Sequence, residues 1–134
     1  MIKTPLCQLL GIDHPILQGG MAWVGTAELS AAVSEAGGFG VLGGGDAPPD
    51  YVRAQIRQVK ERTRKPFGVN IPLFSPFVDQ VVDICIEEGV RAVATGAGNP
   101  GPIIPRLKAA GILVMPVVAS VALARRLERM GADI

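Results

Sequence analysis

Short apolar runs alternate with longer amphipathic segments along the whole chain. Each apolar run is followed by a turn rich in glycine, proline or asparagine, and then by a segment with helical spacing of apolar residues. In one such segment Val52, Ile56 and Val59 fall at i, i+4 and i+7, so one stripe of the helix can face a core. This repeat predicts successive β-strand–α-helix units. The five predicted strands read PILQG, FGVLG, FGVNI, RAVAT and ILVMPVV.

The predicted strands are continuously apolar instead of alternating, which is typical of a parallel sheet covered on both faces. Signals at the helix ends agree with this repeat. Thr26 and Ser120 are residue types that cap helix amino termini, and Ser75 precedes a proline at a first helical position. Glycines stand where a left-handed residue would end a helix, at Gly37, Gly89, Gly111 and Gly131. The pattern predicts helices at about 26–36, 49–62, 76–88, 102–110 and 121–130.

The final residues, 132–134, read as the start of a sixth strand. Five parallel strands do not close a (βα)8 barrel, which takes eight units and about 250 residues. One interpretation is an α/β fold of the TIM-barrel type, with residues 1–134 forming about five βα units at the amino-terminal end of a single barrel domain. The alternative is an open, flavodoxin-like five-stranded parallel sheet. The pattern alone leaves both open.

Composition narrows the class of protein. The chain has 134 residues, 49% of them hydrophobic and 19% charged, as expected for one globular domain. Without an apolar run of membrane-spanning length or a signal-peptide pattern, we expect a cytoplasmic protein with no membrane partner. Cys7 and Cys85 lack metal-ligand spacing, so no metal site is predicted. A formal net charge of +1 gives no reason to expect nucleic acid, and favours small-molecule partners.

Functional residues of βα proteins gather where strands end. The predicted strand ends carry glycines, amides and methionines, and almost no acids, bases or nucleophiles. Such poverty is typical of an enzyme that obtains its reactive group from a cofactor. A flat ring would need glycine backbone for close approach, an amide such as Asn70 for its polar edge, and a polarisable side chain such as Met21.

Three segments, PILQGGMAWVGTAELSAAVSEAGGFGVLGGGDAPP, KPFGVNIPLFSPFVDQVVD and ATGAGNPGP, resemble the flavin-dependent enoyl-acyl-carrier-protein reductase II family. That family belongs to the superfamily of nitronate monooxygenases, also called 2-nitropropane dioxygenases. The resemblance extends over essentially the whole chain. Nitronate monooxygenases typically show a QAPMAG-like loop where this chain has QGGMAW, so the resemblance favours the reductases.

The resemblance implies a (βα)8 barrel that holds FMN at the carboxyl ends of its strands. It implies flavin contacts from the first loop and from Asn70, with Thr95 and Gly96 nearby. The first-loop positions are Gly19, Gly20, Met21 and Ala22. It assigns no catalytic residue here, because the family's histidine-containing segment and its glycine-rich phosphate turns have no match in these residues.

The implied reaction belongs to fatty-acid synthesis. NADH or NADPH reduces FMN, and hydride then passes to the β-carbon of a trans-2-enoyl thioester linked to acyl carrier protein. We expect a homodimer or other self-association, and we expect the 134-residue chain alone to bind FMN poorly and to reduce enoyl thioesters little or not at all. Nitronate oxidation on the same barrel and a non-catalytic half-barrel are the alternatives.

Plainer interpretations accompany several other features. Of two GxGxxG matches, the one at 38–43 lies across a helix end and a strand interior, which is the wrong context for a dinucleotide fold. The one at 96–101 follows a strand and opens a helix, but no acidic residue follows about 20 positions later, so no ribose ligand is present. His14 reads as a turn residue, and Trp23 as either a rim residue or a ligand contact. A basic run around Arg53 and Arg57 is by default a solvated helix face, with docking of an acidic carrier protein as the second interpretation.

Overall fold

The computed structural model describes residues 2–134. Helices and strands alternate from the second helix onward, as the repeat predicts. The helices are α1 (Pro5–Leu10), α2 (Ala27–Glu35), α3 (Pro49–Arg62), α4 (Val78–Glu88), α5 (Ile104–Ala109) and α6 (Val121–Arg129). The strands are β1 (Gly40–Gly43), β2 (Phe67–Pro72), β3 (Ala92–Gly96) and β4 (Leu113–Pro116). Among these residues no helix combines the length and apolar character needed to cross a membrane.

The strands form one parallel sheet in the order β1-β2-β3-β4. Leu17 extends this order by pairing with Phe39, just before β1, in an isolated parallel bridge. Each unit therefore lies beside the one that precedes it in sequence. A flavodoxin-like sheet reverses direction and places its first strand between the second and third. The flavodoxin-like alternative is therefore wrong, and the sequential order is that of a barrel arc.

The prediction of a full first strand at PILQG is wrong. It contributes only the Leu17 bridge, held by the Gln18 N–H donating to Phe39 and the Phe39 N–H donating to Ile16. Beyond this bridge, the backbone N–H and C=O of Val41 bond to the Gln18 side chain instead of to further strand backbone. The hydrogen-bonded pairing of this segment with the β1 edge therefore consists of one bridge.

The helix predictions agree with the structure to within two residues at each end. The four glycines expected to end helices all have positive φ, from 63° at Gly89 to 105° at Gly131. Helix α1 was not predicted. It carries the same signals, with Pro5 at its first position and a left-handed Gly11 after its last turn, but it spans only six residues.

The sheet separates two apolar layers. On the outer face, residues such as Leu42, Val69 and Val93 pack against the helices. On the inner face, Val41 and Ala92 pack with α1 and its following residues: Cys7, Leu10 and Ile12. Because α1 covers the end where the strands begin, the carboxyl ends of the strands and their loops form the opposite end of the molecule.

Candidate functional site

The loop of residues 19–24 projects from the open edge of β1 and is fixed at both ends. At its start, the Gln18 carboxamide accepts from the Val41 N–H (3.2 Å) and donates to the Val41 carbonyl (3.1 Å). At its end, the Gly43 N–H donates to the Gly25 carbonyl (2.9 Å). The two attachments use successive inward-facing residues of β1, so the base of the loop is narrow and well defined.

Glycines let this loop cross the end of β1 and reach β2. A Cβ added at Gly43 would lie 2.0 Å from the carbonyl oxygen of Met21, and one added at Gly20 would lie 2.3 Å from the Cβ of Asn70. Real Cβ atoms do not approach other heavy atoms so closely, so bare backbone is required at both positions. The expected meeting of Gly20, Met21 and Asn70 at one strand end is therefore present.

Asn70 presents a polar group to this end of the sheet. Its side chain is partly buried, and within residues 2–134 no hydrogen bond engages its carboxamide. A half-buried amide with unused donors and acceptor is suited to bind a polar ligand edge. Met21 lies beside it in the loop with 42% of its surface exposed, so its thioether can contact a ligand.

The other predicted site residues are divided by the register of the strands. Gly96 pairs with Pro72, two residues beyond Asn70, and alternation places it on the same inner face. Thr95 pairs with Ile71 and is 1% exposed, so its side chain lies on the helix-covered face. Only its backbone can contribute to a site at the carboxyl ends of the strands. Gly19 and Ala22 are exposed on the loop itself.

Trp23 and His14 take the plainer roles. The Trp23 ring lies 5.7 Å from that of Tyr51, at 48°, and Tyr51 belongs to the first turn of α3 outside the sheet. Trp23 therefore covers the outer rim. The His14 N–H donates to the Gly37 carbonyl in the turn that precedes β1, at the amino end of the sheet. That position is remote from the strand carboxyl ends.

Three of the four basic residues of α3 pair with carboxylates of α4, and Arg62 pairs with Glu28 of α2. Glu88 accepts from Lys60 and Arg57, each at 2.9 Å, and Arg53 bonds to Glu87 at 2.7 Å. Hydrogen bonding from Lys60 and then Arg57 lowers the pKa of Glu88 to about 2. These ion pairs neutralise much of the positive charge of α3. They favour an ion-paired helix face over a docking surface for an acidic carrier protein.

A groove of about 490 Å³ lies at the amino ends of β2, β3 and β4. Three of its four cations are engaged within the chain, because Lys60 bonds to Glu88, Lys65 faces Asp13 at 3.7 Å and Arg91 donates to the Leu9 carbonyl. The groove is separated from Asn70 by the length of the sheet. The carboxyl-end cluster, and not this groove, therefore carries the candidate site.

The two cysteines are buried. Burial raises the pKa of the Cys85 thiol to about 12, which keeps it protonated and unreactive, as a packing residue of α4 would be. Sequence reasoning missed one residue of the site, Gln18. The available signal was a polar side chain within the otherwise apolar PILQG run.

Comparison with known proteins gives the family. A family model described as nitronate monooxygenase matches residues 3–81, more than half of the chain. The chain therefore belongs to the nitronate monooxygenase family, a class of flavin-dependent oxidoreductases. Its sheet is an arc of the TIM barrel of that class.

Individual relatives agree with this assignment. The structure of FabK from Thermotoga maritima has 55% identity and a TM-score of 0.98, covering 99% of this chain and 43% of that one. A nitroalkane oxidase from Streptomyces ansochromogenes has 26% identity and a TM-score of 0.87, with 97% and 47% covered.

Curated sequences show the same class. A 5-hydroxy-7a-methyl-1-oxo-octahydro-1H-indene-4-carboxyl-CoA dehydrogenase of Mycobacterium tuberculosis is 40% identical over 132 residues, 98% of this chain and 37% of the relative. A nitronate monooxygenase of Paraburkholderia phytofirmans is 49% identical over 69 residues, 52% of this chain and 19% of the relative. The chain thus spans less than half the length of the proteins it matches.

Proposed function

We propose that this chain supplies part of the FMN site of an enoyl-thioester reductase. The observation that carries the proposal is the contact of Gly20 backbone with Asn70, whose carboxamide has no partner within residues 2–134, at the mouth of a barrel arc. A mouth at the carboxyl ends of the strands is where barrels of this type hold their ligands.

The residues present fit a flat, polar-edged ring. Gly20 has no side chain to block close approach, and the Asn70 carboxamide can both donate to and accept from the ring edge. The Met21 thioether can lie against the ring face. These residues would bind and orient the flavin and exclude water from one side.

FMN, when bound, supplies hydride chemistry, with NADH or NADPH as the donor and the β-carbon of a trans-2-enoyl thioester as the acceptor. The residues of this chain would hold the flavin in position, because the described site contains no acid, base or nucleophile. Their effect on rate would come from the alignment of reacting groups.

A thioester substrate is favoured over a nitro compound because the chain is more similar to the FabK structure than to the nitroalkane oxidase. Over nearly the whole chain, identity is 55% to the FabK structure and 26% to the nitroalkane oxidase. The dehydrogenase from Mycobacterium tuberculosis acts, by its name, on a coenzyme A thioester. We propose acyl carrier protein as the natural carrier of the acyl group.

Nitronate oxidation is the second candidate, supported by the family model and by the 49% identity over 69 residues. The two candidates separate in assays of the natural polypeptide that contains this sequence. The proposal predicts reduction of a crotonyl thioester with NADH or NADPH. Oxygen-dependent consumption of a nitroalkane without thioester reduction would reject it in favour of the second candidate.

The role of Asn70 is testable by substitution. Asn70→Ala should weaken FMN binding about tenfold, because a ring-edge hydrogen bond in a partly buried site contributes about 1.4 kcal/mol. Asn70→Asp should also weaken it, since the carboxylate cannot donate. Gln80→Ala, at an exposed amide of α4, is the matched control. Flavin affinities of the Asn70 variants equal to that of the control would exclude this residue from the site.

A further inference from the structure

The Gln18 side chain occupies a place in the sheet that backbone normally fills. The parallel bridge of Leu17 with Phe39 fixes the register, and in a continued ladder residue 19 would pair with Val41. The Val41 N–H would then donate to the Gln18 backbone carbonyl, and the Val41 carbonyl would accept from the Gly20 N–H. Both Val41 groups bond instead to the Gln18 carboxamide, at 3.2 and 3.1 Å.

This replacement frees the backbone of loop 19–24 without leaving edge groups of β1 unpaired. The same carboxamide also donates to the Gly19 carbonyl, so it joins β1 to the first residue of the loop. The following attachment is made by the Gly25 carbonyl, which accepts from the Gly43 N–H at 2.9 Å. The loop is thus held between a side-chain bond at one end and a backbone bond at the other.

The two attachments explain where the loop leads. Released from the ladder at residue 19, the chain crosses Gly43 and brings Gly20 against Asn70 on the neighbouring strand. Had the ladder continued, Gly20 would lie along the edge of β1 and would not reach β2. The path that brings Gly20 and Met21 to β2 therefore begins where the Gln18 carboxamide takes the place of the rung.

We propose that Gln18 is a positioning residue, whose carboxamide replaces a strand rung and thereby holds loop 19–24 against Asn70. Its consequence for flavin binding rests on the function proposed above. Gln18 itself bonds to Val41 and Gly19 and needs no contact with the ligand. Its role is distinct from that of Asn70, which would bind the flavin directly.

The test compares three variants of the chain. Gln18→Leu removes every carboxamide bond at similar volume, and Gln18→Glu keeps an acceptor for the Val41 N–H but loses the donor to the Val41 carbonyl. Gln80→Leu makes the same change at an exposed position of α4 and is the control. Far-UV circular dichroism verifies folding. If Gln18→Leu fails to fold, Gln18→Glu carries the test.

Two NMR readouts separate positioning from flavin binding. Without ligand, the nuclear Overhauser effect between Gly20 Hα and Asn70 Hβ should be lost in Gln18→Leu, and Val41 amide exchange should accelerate about tenfold for loss of its bond. The Val69 amide, within the β1-β2-β3 ladder, should be unaffected. With FMN, the dissociation constant should rise about tenfold in Gln18→Leu and less in Gln18→Glu.

The inference is overturned if Gln18→Leu retains the Gly20–Asn70 contact. If that contact is lost while the FMN dissociation constant stays within about twofold of the control, the positioning role stands and its consequence for flavin binding is overturned. If the parent chain shows no FMN-dependent shifts, the proposed function fails for this chain. The contact between Gly20 and Asn70, measured without ligand, still decides whether Gln18 positions the loop.

Discussion

Gly20, like Gly43, is a residue of the site at which no side chain fits without a shift of its neighbours. A methyl group there would overlap the Asn70 side chain, whereas at Gly19 a Cβ meets no atom within 4 Å. The two neighbouring glycines therefore form a matched pair, since both lie in the same loop and differ in what a side chain would contact.

Gly20→Ala should displace the loop from Asn70 and weaken FMN binding about tenfold or more, while Gly19→Ala should change it less than about twofold. Isothermal titration or NMR titration with FMN measures both. Because the loop is exposed, thermal unfolding of the two variants should differ little. Equal flavin affinity in the two variants would show that the Gly20–Asn70 approach is irrelevant to binding.

At the scale of residues, the sequence is sufficient to predict which groups lie near the strand ends, because glycine and methionine follow an apolar run directly and Asn70 stands close to the end of another. It is insufficient for Gln18 and Thr95. The bonding of Gln18 to Val41 joins residues 23 apart and depends on where the ladder stops. Thr95 faces the helices because of the alternation in β3, and a one-residue shift of the strand boundary would reverse that assignment.

At the scale of elements, α3 and α4 are joined by a charge cluster centred on Glu88. Its side chain is 11% exposed and accepts bonds from Lys60 and Arg57, with Arg53 at 3.4 Å. Bonds to charged groups in such partly buried sites are stronger than those between exposed pairs. The cluster therefore contributes to the packing of the two helices.

Glu88→Gln should lower the free energy of unfolding by about 1–3 kcal/mol near neutral pH. The folded pKa of about 2 lies below the usual 4.5, so this stabilisation is present above pH 4.5 and lost as pH falls toward 2. Urea unfolding of parent and variant should thus converge at low pH. Glu61→Gln, at an exposed position of α3, is the control. Equal stability of Glu88→Gln and parent at neutral pH would contradict this account.

Elements were predictable where local signals and burial agree. The left-handed glycines and the apolar stripe of α3 determine helix ends and faces from sequence. Helix α1 was not predicted because six residues are too few to show a helical repeat of apolar positions, although Pro5 and Gly11 mark its ends. The predicted first strand was too long. Its apolar residues are typical of a strand, but its backbone pairs with the neighbouring strand only at Leu17.

At the scale of the whole molecule, the sequential strand order and the placement of α1 define two different ends. The amino end is packed by Cys7, Leu10 and Ile12 against the sheet, and three of the four cations that line its surface groove bond to carboxylates or a carbonyl. The carboxyl end carries the glycine loop, Met21 and the Asn70 carboxamide. This distribution of groups is consistent with packing at the amino end and with the ligand site that we propose at the carboxyl end.

The most direct test is a titration of the ¹⁵N-labelled chain with FMN, followed by amide chemical shifts. This readout detects weak binding, as expected for a chain that spans under half of its relatives' length. We expect the largest shifts at Gly20, Met21 and the Asn70 side-chain amide. Shifts confined to the amino-end groove, at Arg64, Lys65 and Arg91, or no shifts at millimolar FMN, would contradict it.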